Sequence, residues 1–276
     1  MQDSRNMNVL FIGDISARPG RESVKDVLSN IKQHYEVDFV IANCENAAGG
    51  RGVTRAILKE LESYGVDFFT AGDHVWAQKQ FHEDLYDLNL PIIRPLNYEG
   101  NAQIPGKGYK LIDLGDKRIF ILSFLGQGFM REPVRSPFWV FDEWWNARVD
   151  EGILSDDKSS NPLIFIDFHA ETTAEKLTFG WYVHSRVSAF FGTHTHVATA
   201  DARLMGDMAY VTDVGMCGPY NASLWVNPSI TTNNFMFPMK EPYKAELEGP
   251  RIFNSVLVTF EGKEAKSIKR IDKILQ

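Results

Sequence analysis

Five short apolar runs, each stopped abruptly by polar residues, constrain the fold of this chain more than any other feature. Asn8 to Gly13 runs into Asp14, Asp38 to Cys44 into Glu45-Asn46, and Phe68 to Ala71 into Gly72-Asp73-His74. Later, Ile164-Phe165-Ile166 ends in Asp167-Phe168-His169, and Ser188-Ala189-Phe190-Phe191 ends in Gly192-Thr193-His194-Thr195-His196. Apolar runs this short, bounded by turn formers, read as buried strands. Helix-like stretches alternate with the first three: Glu22 to Gln33 after Pro19-Gly20, Thr54 to Tyr64 with Thr54 as N-cap, and one around Lys79 to Asp87. A β-α-β-α-β opening predicts a parallel sheet with helices packed on it.

The rhythm then changes. Tyr109 to Leu114 and Arg118 to Phe124 read as a hairpin about Gly115-Asp116-Lys117, and Arg203 to Thr212 as a second one turning at Gly206-Asp207. Arg251 to Phe260 and Ala265 to Lys273 form a terminal hairpin around Glu261-Gly262. Thr172 to Phe179 looks helical, and Phe129 to Ser160 looks irregular and rich in aromatics. Hairpins mixed with β-α units predict two packed sheets with helices outside. With no internal repeat or linker, the expectation is one domain over residues 7–276. Residues 1–6 are polar and are expected to be a disordered extension, with Met7 an alternative start.

The 276 residues are ample for a sizeable core. The formal net charge is −7 and no dense Lys/Arg run occurs. That balance argues against long duplex nucleic acid, which needs clustered bases. Small phosphorylated substrates stay open, because metal ions can supply the positive charge. Two widely separated cysteines, Cys44 and Cys217, fit a reducing compartment. The N-terminus lacks an apolar signal region, and Val9-Leu10-Phe11-Ile12 is too short to span a bilayer. A cytoplasmic protein without a membrane partner is expected.

Ligands of open α/β sheets bind outside the carboxyl ends of strands. The polar stops therefore share a rim, and His194 and His196, in strand geometry, share a face. Carboxylates, an amide and imidazoles suit Mn, Fe or Zn better than Ca or Mg. The donors are too many for one tetrahedral ion, whereas two ions bridged by a carboxylate use them all. Metal pairs roughly 3.5–4 Å apart recur in the hydrolysis of phosphate esters.

Each residue also has a plainer reading. Asp14 alone reads as a helix N-cap, Glu45-Asn46 as a turn, and His169 as a satisfied core histidine. His74 has a competing role in orienting a ligand. His34, His82 and His184 read as surface or structural. Gly49-Gly50-Arg51-Gly52 lacks the Lys-Ser/Thr of a P-loop, so its glycines read as tight backbone near the metals. Arg51 reads as solvent-facing and Cys217 as a packing residue. The aromatic segment Phe138 to Trp145 reads as a packing or homo-oligomer surface in preference to a cap over the site or a platform that stacks a base.

The order Gly-Asp, Glu-Asn, Gly-x-His, a lone His, then Gly-Thr-His-x-His resembles the calcineurin-like metallophosphoesterases, and within them the YmdB-like branch. The nearer match lies in Phe11-Ile12-Gly13-Asp14, Glu45-Asn46-Ala47-Ala48-Gly49-Gly50, Gly192-Thr193-His194-Thr195-His196-Val197, Thr212-Asp213-Val214-Gly215-Met216 and Gly218-Pro219-Tyr220. It runs from Met7 to the terminal hairpin. The resemblance implies an α/β fold, a four-layer α/β/β/α sandwich of two mixed sheets flanked by helices. It implies a dinuclear metal-dependent phosphodiesterase acting on small cyclic nucleotides, 2′,3′- or 3′,5′-cyclic, by in-line attack of a metal-bound hydroxide. By the same resemblance, Asp14 and His196 bind the first metal, Glu45 bridges both, and Asp73, His169 and His194 bind the second. Asn46 sits on the first-metal side or contacts the phosphate. His74 is the general acid, or a donor to the phosphoryl group. Fe or Mn is the expected metal, with Zn a further candidate.

Two positions depart from the wider pattern. Most metallophosphoesterases carry Asp-x-His after the first strand, where this chain has Asp14-Ile15-Ser16; the YmdB-like branch also lacks that histidine. The third motif is Gly-Asn-His in the family and Gly72-Asp73-His74 here. Asp73 keeps an oxygen ligand but adds negative charge, which predicts retained metal binding with an altered rate or metal preference. The rival readings are a phosphomonoesterase or nucleotidase with the same site, and a regulatory protein with a slow metal site.

Overall fold

The computed structural model describes residues 6–100, 103–115, 117–155, 157 and 160–276. The expected N-terminal extension up to Arg5, and Asp116 of the first hairpin turn, lie outside them. The chain begins with β1 (Met7–Ile12), β2 (Asp14–Ile15), α1 (Ala17–His34), β3 (Phe39–Asn43), α2 (Arg55–Ser63) and β4 (Phe68–Thr70). A 3-10 turn (Asp73–Trp76), α3 (Phe81–Asp84) and β5 (Ile92–Ile93) follow. Then come β6 (Tyr109–Asp113), β7 (Arg118–Leu125), α4 (Pro137–Asp150), β8 (Leu163–His169), α5 (Thr173–Val183) and β9 (Ala189–Thr193). The remainder holds β10 (Arg203–Met205), β11 (Met208–Val211), β12 (Met216–Pro219), α6 (Pro228–Met236), β13 (Arg251–Phe253), β14 (Ser255–Glu261), β15 (Glu264–Arg270) and β16 (Lys273–Leu275).

Sheet I has the order β15-β14-β1-β3-β4-β5, and sheet II the order β10-β11-β9-β8-β7-β6. Both are mixed: β1, β3, β4 and β5 are parallel, β14 runs antiparallel to β1 and β15 antiparallel to β14, while β7, β8, β9 and β11 are parallel with β6 and β10 antiparallel. Side-chain alternation assigns the layers. Val9 and Phe11 of β1 meet Phe165 and Phe191 between the sheets. Leu10 and Ile12 face the other way, onto Val24, Leu28 and Ile31 of α1 and Leu58 and Leu61 of α2. On the far side, Ile164, Ile166 and Phe168 of β8 pack against Phe141 and Trp144 of α4 and Phe179 of α5. The result is the four-layer α/β/β/α sandwich.

Four details differ from the sequence reading. First, α1 starts at Ala17 and contains Pro19-Gly20. Proline is tolerated in a first turn, where its missing N–H has no intrahelical partner anyway. Gly20 is needed because a Cβ there would lie 2.3 Å from the Cys217 carbonyl oxygen. Second, the segment read as irregular contains α4. Its buried face (Val140, Phe141, Trp144, Trp145) is clear, but Trp139, 70% exposed, breaks the polar face that would have revealed the period. Third, the terminal hairpin is double: β14 and β15 join sheet I, whereas β13 and β16 belong to a small third sheet, β16-β13-β12-β2. Fourth, Thr193 ends β9, so His194 and His196 lie beyond it.

Candidate metal centre

The carboxyl ends of β1, β3 and β4 carry the acidic half. After Ile12 the chain leaves sheet I, and Asp14-Ile15 pairs in parallel with Met216-Cys217. This places the Asp14 carboxylate, fully buried, at the rim. It does not cap α1; Ser16 occupies that position. Glu45 follows β3, its N–H donating to Asn43 Oδ1 at 3.1 Å. Gly72 lets the 3-10 turn approach so closely that a Cβ there would lie 2.3 Å from Glu45 Oε2 and from His169 Cδ2. The same approach lets the His74 N–H donate to Glu45 Oε2 at 3.1 Å.

The imidazole half hangs from β8 and β9. His169 is the last residue of β8 and is fully buried. His194 and His196 adopt φ of 96° and 64°. Strand alternation therefore does not align them; a left-handed loop turns both rings inward, at a cost on the order of 1–3 kcal/mol per residue. A buried ion pair holds that loop. Lys176 Nζ donates to Asp213 Oδ2 and to the Thr193 carbonyl, each at 2.7 Å. Asp213 Oδ2 also accepts from the Thr195 N–H at 3.1 Å and its hydroxyl at 2.8 Å.

All eight residues singled out in the sequence converge here. Glu45 Oε1 lies 3.2 Å from both His169 Nε2 and His74 Nδ1. Asp73 Oδ1 lies 3.1 Å from His169 Nε2 and 3.8 Å from His194 Nδ1. Asp14 Oδ1 is 3.6 Å from His196 Nε2. Asn46 Nδ2 donates to Glu45 Oε1 at 3.0 Å and lies 3.1 Å from His196 Nε2, while its Oδ1 is 2.8 Å from His74 Nδ1. Three overlapping groups have donors within 4.8 Å of one another: Asp14-Glu45-His169, Asp73-His169-His194 and Glu45-Asp73-His74.

The donor set fits cations. Among the described residues, Asp14 Oδ1 and His196 Nδ1 have no hydrogen-bond partner although both are buried, a costly condition unless something else satisfies them. His194 Nδ1 and His169 Nε2 sit 3.0 Å apart, and two imidazole lone pairs at that distance repel unless a proton or a cation lies between them. Charge coupling points the same way. Burial pushes the Asp14 and Glu45 carboxyls up, but His196 and His169 outweigh it at Asp14, and His169 and His74 outweigh it at Glu45. Asp14 ends below the ordinary carboxylate range and Glu45 well below it. Burial and Glu45 also raise Asp73, yet the His169 hydrogen bond leaves it lowered. Burial depresses His169 and His74, but the carboxylates prevail and raise both, His169 strongly. His194, pressed by burial and by His169, is lowered.

The remaining candidates lie apart. His82 Nε2 faces the Trp76 carbonyl at 2.8 Å, His184 Nδ1 the Trp181 carbonyl at 2.5 Å, and His34 abuts the Tyr35 ring. Arg51 is exposed. Cys217 is buried, and burial raises its thiol to about 12. Gly50 packs so closely on Trp225 that a Cβ would come within 2.5 Å of the indole. The aromatic segment packs on sheet II through Phe141, Trp144 and Trp145.

Sequence reading missed the supports of the site. Asp167, fully buried, accepts from Asn43 Nδ2 at 3.0 Å, from the Thr70 hydroxyl at 2.5 Å and from the Thr193 hydroxyl at 2.7 Å. Burial pushes its carboxyl up to about 6. The available signal was a carboxylate inside the apolar run of β8, where a charge demands partners. Lys176, on the buried side of α5, and Asp213 carried the same signal. Glu171, whose Oε2 lies 3.0 Å from His194 Nε2, carried none.

Two packed mixed sheets that pool carboxylates and imidazoles at one rim define a protein of metallophosphoesterase type. The sequence model of the YmdB-like protein family matches residues 10–271, and the chain belongs to that family. Over 271 residues it is 36% identical to the 2′,3′-cyclic-nucleotide 2′-phosphodiesterase of Bacillus subtilis strain 168, covering 98% of this chain and 97% of that protein. A crystal structure described as a novel phosphatase from Mycoplasma pneumoniae superposes with a TM-score of 0.90 at 29% identity, covering 99% of this chain and 95% of that one. A hypothetical protein from Thermus thermophilus superposes at 0.86 with 35% identity, covering 98% of this chain and 100% of that one.

Proposed function

We propose that this chain is a metal-dependent phosphodiesterase of small phosphodiesters, with nucleoside 2′,3′-cyclic phosphates as the first substrate class to test. The observation that carries this reading is the overlap of donor groups, in which Glu45, Asp73 and His169 each belong to two clusters at once. Shared donors suit a pair of neighbouring cations. The name of the B. subtilis relative supports the substrate class. In this reading Asp14 and His196 hold one ion, Asp73, His169 and His194 the other, and Glu45 both, with Asn46 beside the first. Iron or manganese suits this oxygen and nitrogen set, and zinc also fits. Bound there, the ions supply Lewis acidity toward the phosphoryl oxygens and lower the pKa of water.

The chain's own groups do the rest. Asn46 gives an Nδ2 proton to Glu45 Oε1, which orients its amide so that Oδ1 accepts from His74 Nδ1. That bond fixes the His74 ring. Glu45 and Asp73 raise the affinity of His74 for protons. Its Nε2, 3.6 Å from Asp73 Oδ2 on the more open side of the site, then holds a proton for the leaving oxygen. Residues 7–276 act as one unit, since sheet I needs β14 and β15 from the end of the chain. No helix of the described residues is long and apolar enough to cross a membrane. The thiols of Cys44 and Cys217, both free and buried, suit a reducing, cytoplasmic setting.

The test is metal content and turnover of 2′,3′-cyclic nucleotide on anaerobically purified protein, beside His194→Ala. Two metals per chain, with turnover lost in the variant, is the expected result. No bound metal after reconstitution with Fe or Mn would overturn the ligand assignment. A model phosphomonoester cleaved faster than a model diester would move the assignment to a phosphomonoesterase.

A further inference from the structure

We infer that Asp167 is a positioning residue which, acting through Thr193, dictates which nitrogen of His169 faces the metals. The inference rests on the reading of His169 as a metal ligand. It goes beyond that reading because neither Asp167 nor Thr193 is itself among the ligands.

Asp167 receives hydrogen bonds on both oxygens: from Thr193 on Oδ1, and from Thr70 and Asn43 on Oδ2. As a carboxylate it only accepts. The single hydroxyl proton of Thr193 is therefore committed to Asp167 Oδ1 at 2.7 Å. Thr193 Oγ has only lone pairs left for its other neighbour, His169 Nδ1 at 2.9 Å. That nitrogen must then carry the proton. A neutral imidazole with Nδ1 protonated presents its lone pair at Nε2. Nε2 is the atom that lies 3.1 Å from Asp73 Oδ1 and 3.2 Å from Glu45 Oε1. The buried carboxylate thus fixes both tautomer and ring orientation through one hydroxyl, in the manner of the outer partners of many metal-binding histidines.

The same carboxylate serves the acidic half. Asn43 gives Nδ2 to Asp167 and takes the Glu45 N–H on Oδ1. Asp167 therefore ties His169, from sheet II, to the backbone of Glu45, from sheet I. A merely structural network would account for the burial. It would not require Thr193 to stand between Asp167 and His169, nor Thr70 to stand apart from the imidazole.

That asymmetry supplies the test. Thr193→Val and Thr70→Val each delete one hydroxyl from the same carboxylate, but only the first deletes the acceptor of His169 Nδ1–H. Zn(II) and Mn(II) affinities of metal-stripped protein are measured by competition with a chelator, alongside melting temperature. The expected result is a roughly 10- to 100-fold weaker affinity in Thr193→Val, a much smaller loss in Thr70→Val at similar melting temperature, and rescue by Thr193→Ser. Equal losses in the two valine variants, or no rescue by serine, would overturn the inference.

A second measurement needs no variant. Histidine-labelled wild type loaded with Zn(II) is examined by 15N NMR, where the expected His169 signature is a proton on Nδ1 and zinc on Nε2. Zinc on Nδ1 would overturn the relay while leaving His169 a ligand. No zinc effect on either His169 nitrogen would overturn the ligand reading, and the relay with it.

Discussion

The two halves of the rim are built by opposite strategies. The acidic half, Asp14, Glu45 and Asp73, is shaped by main chain: a register with Met216-Cys217, a turn after β3 and the close approach at Gly72. The imidazole half, His169, His194 and His196, is shaped by buried side chains beneath it: Asp167 with Thr193 under His169, and Lys176 with Asp213 under the loop carrying the other two. Carboxylates repel one another, so rigid backbone keeps them together. Imidazoles have two distinct nitrogens, so partners must choose which one faces inward. Loss of a main-chain feature should move several ligands together, whereas loss of a support should misdirect one element.

The sharpest challenge to that contrast is the acidic-half residue that also meets the imidazoles, its Oε1 lying 3.2 Å from His169 Nε2. Glu45→Ala removes a carboxylate that two of the three donor groups share, and turnover should fall by about 10³-fold or more, measured at saturating metal. Next is the support of the imidazole half. Lys176→Met leaves Asp213 buried without its cation and should cost about 3–5 kcal/mol in denaturant unfolding, because an uncompensated buried charge remains. A loss below about 1 kcal/mol, the range of a surface pair, would mean that the loop holds itself.

A third test separates the halves by pH in metal-free protein. Folded His169 and His74 are raised above 6.5. Their contribution to stability is full below 6.5 and is lost as pH rises through the folded values. His194 is lowered, so its penalty acts only below 6.5. Asp14 and Glu45 are lowered too, and their contribution is lost only in acid. Above pH 6.5 the melting temperature of metal-stripped protein should therefore decline, and His169→Gln should flatten most of the decline. A flat wild-type profile would show that the carboxylates do not hold the imidazoles charged.

The smallest effect is expected at Asp73→Asn. It keeps an oxygen donor and removes one charge, so metal content should survive and turnover should be preserved or raised. A collapse in bound metal would show that the carboxylate at this position is indispensable.

The acidic half was the more legible in sequence because strand ends followed by Asp or Glu are local signals. Parallel strands brought Asp14, Glu45 and Asp73 to one rim, but the pairing of Asp14 with Met216 and the close approach at Gly72 had no local signal. For the imidazole half, the sequence offered His-x-His and a strand rationale for it. The rings do converge, but through a left-handed loop set by Asp213 and Lys176, residues whose partners are distant in sequence. Asp167 was visible as part of a strand end, yet its partners Asn43, Thr70 and Thr193 come from three other strands, which no local pattern links. In the fold, the layers followed from hairpins mixed with β-α units. α4 did not, because Trp139 puts a large aromatic on its water-facing side, and the third sheet did not, because its strands are two to four residues long.

The pairing of Asp14 with Met216, and of β1 with β14, sets a timetable for a chain made from its N-terminus. At about 5–20 residues per second, Asp14 leaves the ribosome on the order of 10–40 s before the strand that fixes it exists. Through that interval β1, with its alternating Val9 and Phe11, offers an unpaired apolar edge. The metal-binding rim thus cannot be completed until residues 216–219 have been made, and Asp14 waits, unplaced, until then.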